Sequence, residues 1–181
     1  MLPYLDQSKL RITNPYGKID ASYTAGYHTG LDFVSDGEKL ITAIASGKVI
    51  RSQLYGAWGN FIVVQQEDGL YCVYAHLSRR DVACGDYVAQ GQVIGQEGST
   101  GNSTGSHLHI ELEQTYYDPY STINIADYLG IKNEVGAVEY LPSEWAKDAQ
   151  AWAINQGVSD GKSPKEEVTR EQVWTMLYRL R

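Results

Sequence analysis

The sequence predicts a mainly β fold, an antiparallel β-sheet core followed by a small C-terminal α-helical hairpin. Three observations predict it. From Ile41 to about Leu112, short apolar runs alternate with glycine-containing turns, and no helical period survives. Tyr (14) and Gly (18) are plentiful while Phe (2) is scarce, which suits strands joined by tight turns. From Ser143 onward the apolar residues switch to helical spacing.

The elements follow in order. Lys48-Val-Ile-Arg-Ser52 is a short strand after the turn at Ser46-Gly47, and Phe61-Ile-Val-Val-Gln-Gln66 is a second. Glu67-Asp68-Gly69 closes a hairpin from that strand onto Leu70–Leu77. Gly85-Asp86, Gln90-Gly91 and Gly95 punctuate further short β segments. Gly98-Ser-Thr-Gly-Asn-Ser-Thr-Gly-Ser106 is a polar, glycine-rich loop leading into a strand at His107–Glu113. Asn124-Ile-Ala-Asp-Tyr-Leu129 forms one helical turn, capped by Asn124 and stopped by Gly130. Residues 131–141 read as a linker. In the tail, Trp145, Ala149, Trp152 and Ala153 fall at helical spacing between an N-cap at Ser143 and a stop at Gly157. A second helix starts at the capping box Thr169-Arg-Glu-Gln172, with Val173, Met176, Leu177 and Leu180 on its apolar face.

At 181 residues the chain can bury one good core with a small second unit attached. The domain reading is therefore a β domain over 1–130, a linker over 131–141 and a helical segment over 142–181. The formal charge is −7, and all of it sits in residues 1–139, because the tail carries six basic and six acidic residues. An acidic main domain argues against nucleic acid as the partner, since phosphate neutralisation needs a basic surface. No apolar run approaches the roughly 18–20 residues of a transmembrane segment. The first ten residues are too polar for a signal peptide, so the protein is made without one or its leader has been removed. Cys72 and Cys84 are too few for a disulfide framework; they could form one bridge, but two buried, inert thiols are the preferred reading.

The four histidines lie in three short polar-and-glycine contexts: Gly26-Tyr-His-Thr-Gly-Leu-Asp-Phe33, Tyr74-Ala-His-Leu-Ser78 and Ser106-His-Leu-His-Ile-Glu111. Imidazoles and a carboxylate gathered from separate parts of a chain are what a metal site needs. Strand alternation places His107, His109, Glu111 and Glu113 on one face, with Leu108, Ile110 and Leu112 on the core face. Both histidines then project into a cleft or solvent. His28-x-x-x-Asp32 lies in an extended or turning segment, so the fold must bring the two groups together. Leu31 and Phe33 flank Asp32, which sets its carboxylate at the edge of a core, where it needs a strong partner. By alternation His76 ends a strand in which Cys72, Tyr74 and His76 share a face.

Together these blocks resemble the M23 family of zinc metallopeptidases, the lysostaphin/LytM group, over roughly residues 12–114. His28-Thr-Gly-Leu-Asp-Phe33 is similar to the family's H-x-G-x-D-[FL] segment, and Tyr74-Ala-His-Leu-Ser78 to its Y-x-H-L-S block. Tyr16-Gly17, Ile44-Ala-Ser-Gly-Lys-Val-Ile50, Gly85-Asp-Tyr-Val-Ala-Gln-Gly-Gln-Val-Ile-Gly95, Gly98-Ser-Thr-Gly101 and His107-Leu-His109 complete the resemblance in order. It implies an antiparallel β-sheet peptidase core of the lysostaphin/LytM type. It also implies a zinc ion (Zn2+) held by His28, Asp32 and His109, with a fourth position left open. His107 is then expected as general base and His76 as the group that steadies the oxyanion, two roles that could be exchanged. Lys18-Ile-Asp20 departs from the family, which often carries Arg there; for a family tyrosine near the site, Tyr23 and Tyr27 are candidates.

The tail, with Trp145-Ala-Lys-Asp-Ala-Gln-Ala-Trp-Ala153, Gly157-Val-Ser-Asp-Gly161 and Val168-Thr-Arg-Glu-Gln172, resembles one shortened S-layer-homology repeat. That resemblance implies contact with a secondary cell-wall polymer, or oligomerisation through the helices. The combined expectation is an endopeptidase acting at the bacterial cell wall on peptidoglycan stem peptides or cross-bridges, as a phage endolysin or a bacterial autolysin. The alternative is a non-catalytic wall-binding or regulatory relative.

Overall fold

The computed structural model describes residues 1–141, 146–159, 173–175 and 177. The strands are β1 (Leu10–Asn14), β2 (Leu31–Ser35), β3 (Leu40–Thr42), β4 (Gly47–Tyr55), β5 (Gly59–Gln66), β6 (Tyr71–Ala75), β7 (Arg79–Arg80), β8 (Tyr87–Val88), β9 (Val93–Gln96), β10 (Leu108–Glu113) and β11 (Gly136–Ala137). Helix α1 spans Ile125–Leu129 and α2 spans Lys147–Asn155. The chain divides into two compact units, Met1–Leu129 with Asn133–Ala137, and Gly130–Lys132 with Val138–Arg181.

In the first unit, eight antiparallel strands form one sheet in the order β11-β1-β2-β10-β6-β5-β4-β8, and β3-β9-β7 form a smaller one. The expected mainly β antiparallel core is therefore present. The 61–66 run lies within β5, which pairs with β6 across the 67–69 turn. On the central strands one parity, Leu108, Ile110, Leu112, Cys72 and Tyr74, is fully buried. This face meets the small sheet, where the Ile44 N–H donates to the Tyr74 hydroxyl at 2.8 Å. Ile41, Ile44, Leu77 and Ile94 complete that core.

The other parity is also covered. Phe61, Val63, Val73 and Ala75 pack with Ile50, Trp58, Tyr71 and Tyr116. Every residue of β10 is buried, Glu111 and Glu113 included, and the polar parity lines a cleft rather than open solvent. The segment after Gln114 folds back over the sheet, so alternation identifies the two faces but not what lies above them.

Helix α1 begins as expected, with Asn124 Oδ1 accepting from the Ala126 N–H at 3.1 Å. Within the 131–141 stretch, Gly136 and Ala137 pair with Ile12 and Arg11 of β1. Both cysteines are free, but Cys84 is exposed rather than buried, because the turn at Ala83–Asp86 brings it to the surface. Cys72 is buried as expected, and burial pushes its thiol far up.

In the second unit, Ile131 bridges Tyr140, and the Leu141 N–H donates to the Gly130 carbonyl at 2.8 Å. Helix α2 is followed by its C-cap, Gln156, and buries none of its residues. The expected caps at Ser143 and Thr169 and the apolar positions Met176 and Leu180 lie outside the described residues; residues 173–175 and 177 are helical. Among the described residues no helix is long and apolar enough to cross a membrane.

Candidate metal centre

Asp32 lies on β2 between Leu31 and Phe33, whose burial on the opposite face turns its carboxylate the other way. Directly across the ladder from Asp32 is His109 of β10. His28 precedes β2 and is set by the 15–18 turn. Its N–H donates to the Lys18 carbonyl at 2.9 Å, and its carbonyl accepts from the Gly17 N–H at 2.8 Å. The segment is extended, as the glycine-rich sequence predicts, and the turn brings the ring back over Asp32.

The three donor atoms form a tight triangle. His28 Nε2 is 3.1 Å from Asp32 Oδ1 and 3.1 Å from His109 Nδ1, and His109 Nδ1 is 2.8 Å from Asp32 Oδ1. These residues are the one such cluster of metal-type donors among the described residues. Tetrahedral zinc with bonds of 2.0–2.1 Å needs donors about 3.3 Å apart, close to these spacings.

The chemistry of the donors supports the same fit. His28 Nδ1 faces the Pro15 carbonyl at 3.0 Å, an acceptor, so Nδ1 carries the proton and Nε2 offers a lone pair. His109 Nε2 faces Glu111 Oε1 at 2.7 Å, so its Nδ1 is the free position. With both rings neutral, two nitrogen lone pairs and a carboxylate oxygen converge with no proton between them. Such a triangle requires a cation at its centre. In the metal-free protein a proton meets that demand. Burial alone would lower His109, but hydrogen bonds to Asp32 and Glu111 outweigh it and hold the ring up at about 10. Burial raises the Asp32 carboxyl, yet His109 and His28 hold it far below the usual range.

Glu111 is the outer support of this triangle. It is 4% exposed and accepts from the Thr29 hydroxyl at 2.7 Å while facing His109. A carboxylate behind a ligating imidazole fixes its tautomer and orientation. Glu111 was legible as a residue on the His109 face, but no sequence signal gave it this role.

The other two histidines stand beside the triangle. His107 precedes β10, with Nε2 3.9 Å from Asp32 Oδ1 and Nδ1 2.8 Å from the Gly105 carbonyl. His76 does not share the face of Cys72 and Tyr74. Its φ of 62° is left-handed and breaks the alternation, turning the ring to within 4.7 Å of His107 and 5.7 Å of His109. Its Nδ1 is 2.9 Å from the Thr100 carbonyl. Burial first, then the His109 charge, pulls His76 down to about 4, so the ring is neutral at ordinary pH.

These groups line a cleft of about 830 Å³. The 54–60 loop contributes Tyr55 and Trp58, and the 98–106 loop contributes Asn102, Ser103 and Thr104. Tyr23 lies 5.2 Å from the His28 ring and bonds Asn14, while the Tyr27 hydroxyl is turned toward Thr122 and Pro119. Tyr117, which sequence reasoning passed over, stacks edge-on against Trp58 at 5.7 Å. It too has a left-handed backbone, φ 63°, and its N–H donates to Glu113 Oε2 at 2.8 Å.

The family model described as Peptidase family M23 matches residues 26–120. Lysostaphin of Staphylococcus simulans is 38% identical over 122 residues, covering 62% of this chain and 24% of its own length. The DD-carboxypeptidase/endopeptidase Mpg of Neisseria meningitidis is 38% identical over 103 residues, covering 56% of this chain and 24% of its own. The chain thus matches about a quarter of the length of these curated relatives. The solved catalytic domain of lysostaphin from Staphylococcus simulans superposes with a TM-score of 0.61 at 33% identity, covering 65% of this chain and 90% of that one.

Proposed function

The chain belongs to peptidase family M23, and on that premise we propose that it is a zinc-dependent endopeptidase. Its reaction is hydrolysis of an amide bond in peptidoglycan stem peptides or cross-bridges. The observation that carries this reading is the converging triangle of His28, Asp32 and His109, which requires a cation and has the spacing of zinc donors. Zinc bound there supplies Lewis acidity and activation of water near neutral pH.

The chain's own residues supply the proton transfers and the walls. His107 and His76 each spend Nδ1–H on a backbone carbonyl, so each presents Nε2 to the cleft as a proton acceptor. We assign the base to His107, whose Nε2 is 3.9 Å from Asp32. The proton that His107 takes from the attacking water is passed on to the leaving amine, and His76 steadies a developing oxyanion only in the state in which its Nε2 is protonated. Tyr117 and Trp58 form an aromatic wall that orients the peptide.

We further propose a peptidase domain over 1–130, a connector over 131–141 that lends Gly136–Ala137 to the sheet, and a wall-contacting segment over 142–181. The tail motifs support a place at the cell wall, as a phage endolysin or a bacterial autolysin. The test is digestion of purified peptidoglycan from several wall chemotypes, with and without chelator, reading new peptide termini by mass spectrometry. Chelator-sensitive release supports the reading and identifies the bond. No release by folded, zinc-loaded protein would replace it with the non-catalytic wall-binding alternative.

A further inference from the structure

Glu97, immediately after β9, is 3% exposed, yet each of its carboxylate oxygens has two partners. Oε2 accepts from the Tyr4 hydroxyl at 2.7 Å and the Ser35 N–H at 3.2 Å. Oε1 accepts from Lys39 Nζ at 2.6 Å and the Ser106 hydroxyl at 2.5 Å, and Lys39 Nζ also reaches Ser106 Oγ at 2.9 Å. Its backbone is engaged as well, donating to the Lys39 carbonyl and accepting from the Ser78 hydroxyl. A buried carboxylate persists only with such compensation. None of these groups belongs to the metal triangle.

The place of this cluster is what gives it consequence. Glu97 immediately precedes the 98–106 loop and Ser106 is its last residue, both beside the neck where Gly98 bridges His107 and the His107 N–H donates to the Gly98 carbonyl at 2.9 Å. The loop closed by this neck supplies the Thr100 carbonyl to His76 and the Gly105 carbonyl to His107. One carboxylate therefore clasps the segment that sets the tautomer of both imidazoles. We propose that Glu97 is a positioning residue, acting through Ser106 and the 98–106 loop to hold His107 and His76 in place for proton transfer. This rests on the roles assigned to those histidines above.

The two oxygens divide the work, and the division supplies the test on the full, zinc-loaded chain. Ser106→Ala cuts the loop from the clasp while leaving Tyr4, Ser35 and Lys39 on Glu97. It lowers kcat on solubilised peptidoglycan fragments about tenfold, with KM within about twofold and zinc retained, because misplaced proton-transfer groups cost rate rather than binding. Amides 99–106 exchange faster with deuterium while those of β10 do not. Ser106→Thr, which keeps the hydroxyl, restores both. Glu97→Gln shows the same kcat loss, and Tyr4→Phe loosens only the Oε2 side, lowering the melting temperature with kcat unchanged. Loss of thermal stability in Glu97→Gln and Ser106→Ala with kcat and loop protection intact would reduce Glu97 to a purely structural residue. A wild type that cuts no peptidoglycan would overturn the assigned activity instead. Loop protection in Ser106→Ala then decides the positioning role, and unchanged protection overturns it.

Discussion

Asp32 and His109 are direct register partners across the antiparallel ladder of β2 and β10, with the carboxylate oxygen 2.8 Å from the ring nitrogen. Two of the three candidate metal donors are thus held by a sheet rather than by loops. Ladder hydrogen bonds and buried neighbours on the opposite face fix their separation before any ion arrives.

Metal removal and loss of Asp32 should therefore converge. Zinc at about a thousand times its dissociation constant stabilises by about 4 kcal/mol, or roughly 10 °C of melting temperature in a chain of this size. Chelation should lower the melting temperature by that order. Asp32→Asn, which removes the anionic donor without changing shape, should erase most of the difference between zinc-loaded and chelated protein in a thermal-shift assay.

Glu111→Gln keeps the strand packing but weakens the support behind His109. Losses of this kind cost about 10–100-fold in metal affinity. Competition for zinc with a chromophoric chelator measures it directly, and an unchanged affinity would remove Glu111 from the site.

The left-handed backbone at His76 predicts a contrast between two variants that both lose the ring. Glycine accepts φ 62° freely while alanine pays about 1 kcal/mol. His76→Gly should unfold a few degrees above His76→Ala, with turnover abolished and zinc retained in both.

Glu97 predicts an acid-side dependence of stability. Burial alone would raise its carboxyl, but hydrogen bonds from Lys39, Ser106 and Tyr4 outweigh it and hold the group below its ordinary value of 4.5. A depressed folded-state value adds stability that is present above about pH 4.5 and lost as pH falls through the folded value. Metal-free wild type should melt above Glu97→Gln at pH 5 to 7, and the gap should narrow below about pH 4.5. A gap that stays constant down to pH 3 would exclude the charge as its source.

The sheet was legible because alternation and turn residues are local signals. The hairpin at 67–69, the cap at Asn124 and the shared face of His109, Glu111 and Glu113 all follow from neighbours in sequence. The metal triangle was legible only through family resemblance, because no spacing rule pairs residue 32 with residue 109. Where alternation fails, the cause is specific. One left-handed residue turns His76 onto the other face, and Tyr116, distant in sequence, packs against the cluster of Phe61, Val63, Val73 and Ala75. The Glu97 clasp was illegible because its partners come from positions 4, 35, 39 and 106, each unremarkable by itself.

The wall of the cleft beside His76 is built from two loops in backbone contact. Asn102 N–H donates to the Ala57 carbonyl at 2.8 Å, and Asn60 N–H to the Thr100 hydroxyl at 2.9 Å. A Cβ at Gly101 would lie 2.3 Å from the Ala57 carbonyl, and one at Gly59 would lie 2.4 Å from the Thr100 carbonyl carbon. With the Glu97–Ser106 clasp also in place, loops stitched at this distance act as one block, so this rim does not swing aside like a jaw. On the proposed peptidase reading, substrate choice on that flank is a matter of what slides past a fixed edge. Redesign of bond preference therefore belongs at outward-pointing side chains such as Tyr55, which can be exchanged without unpicking the seam.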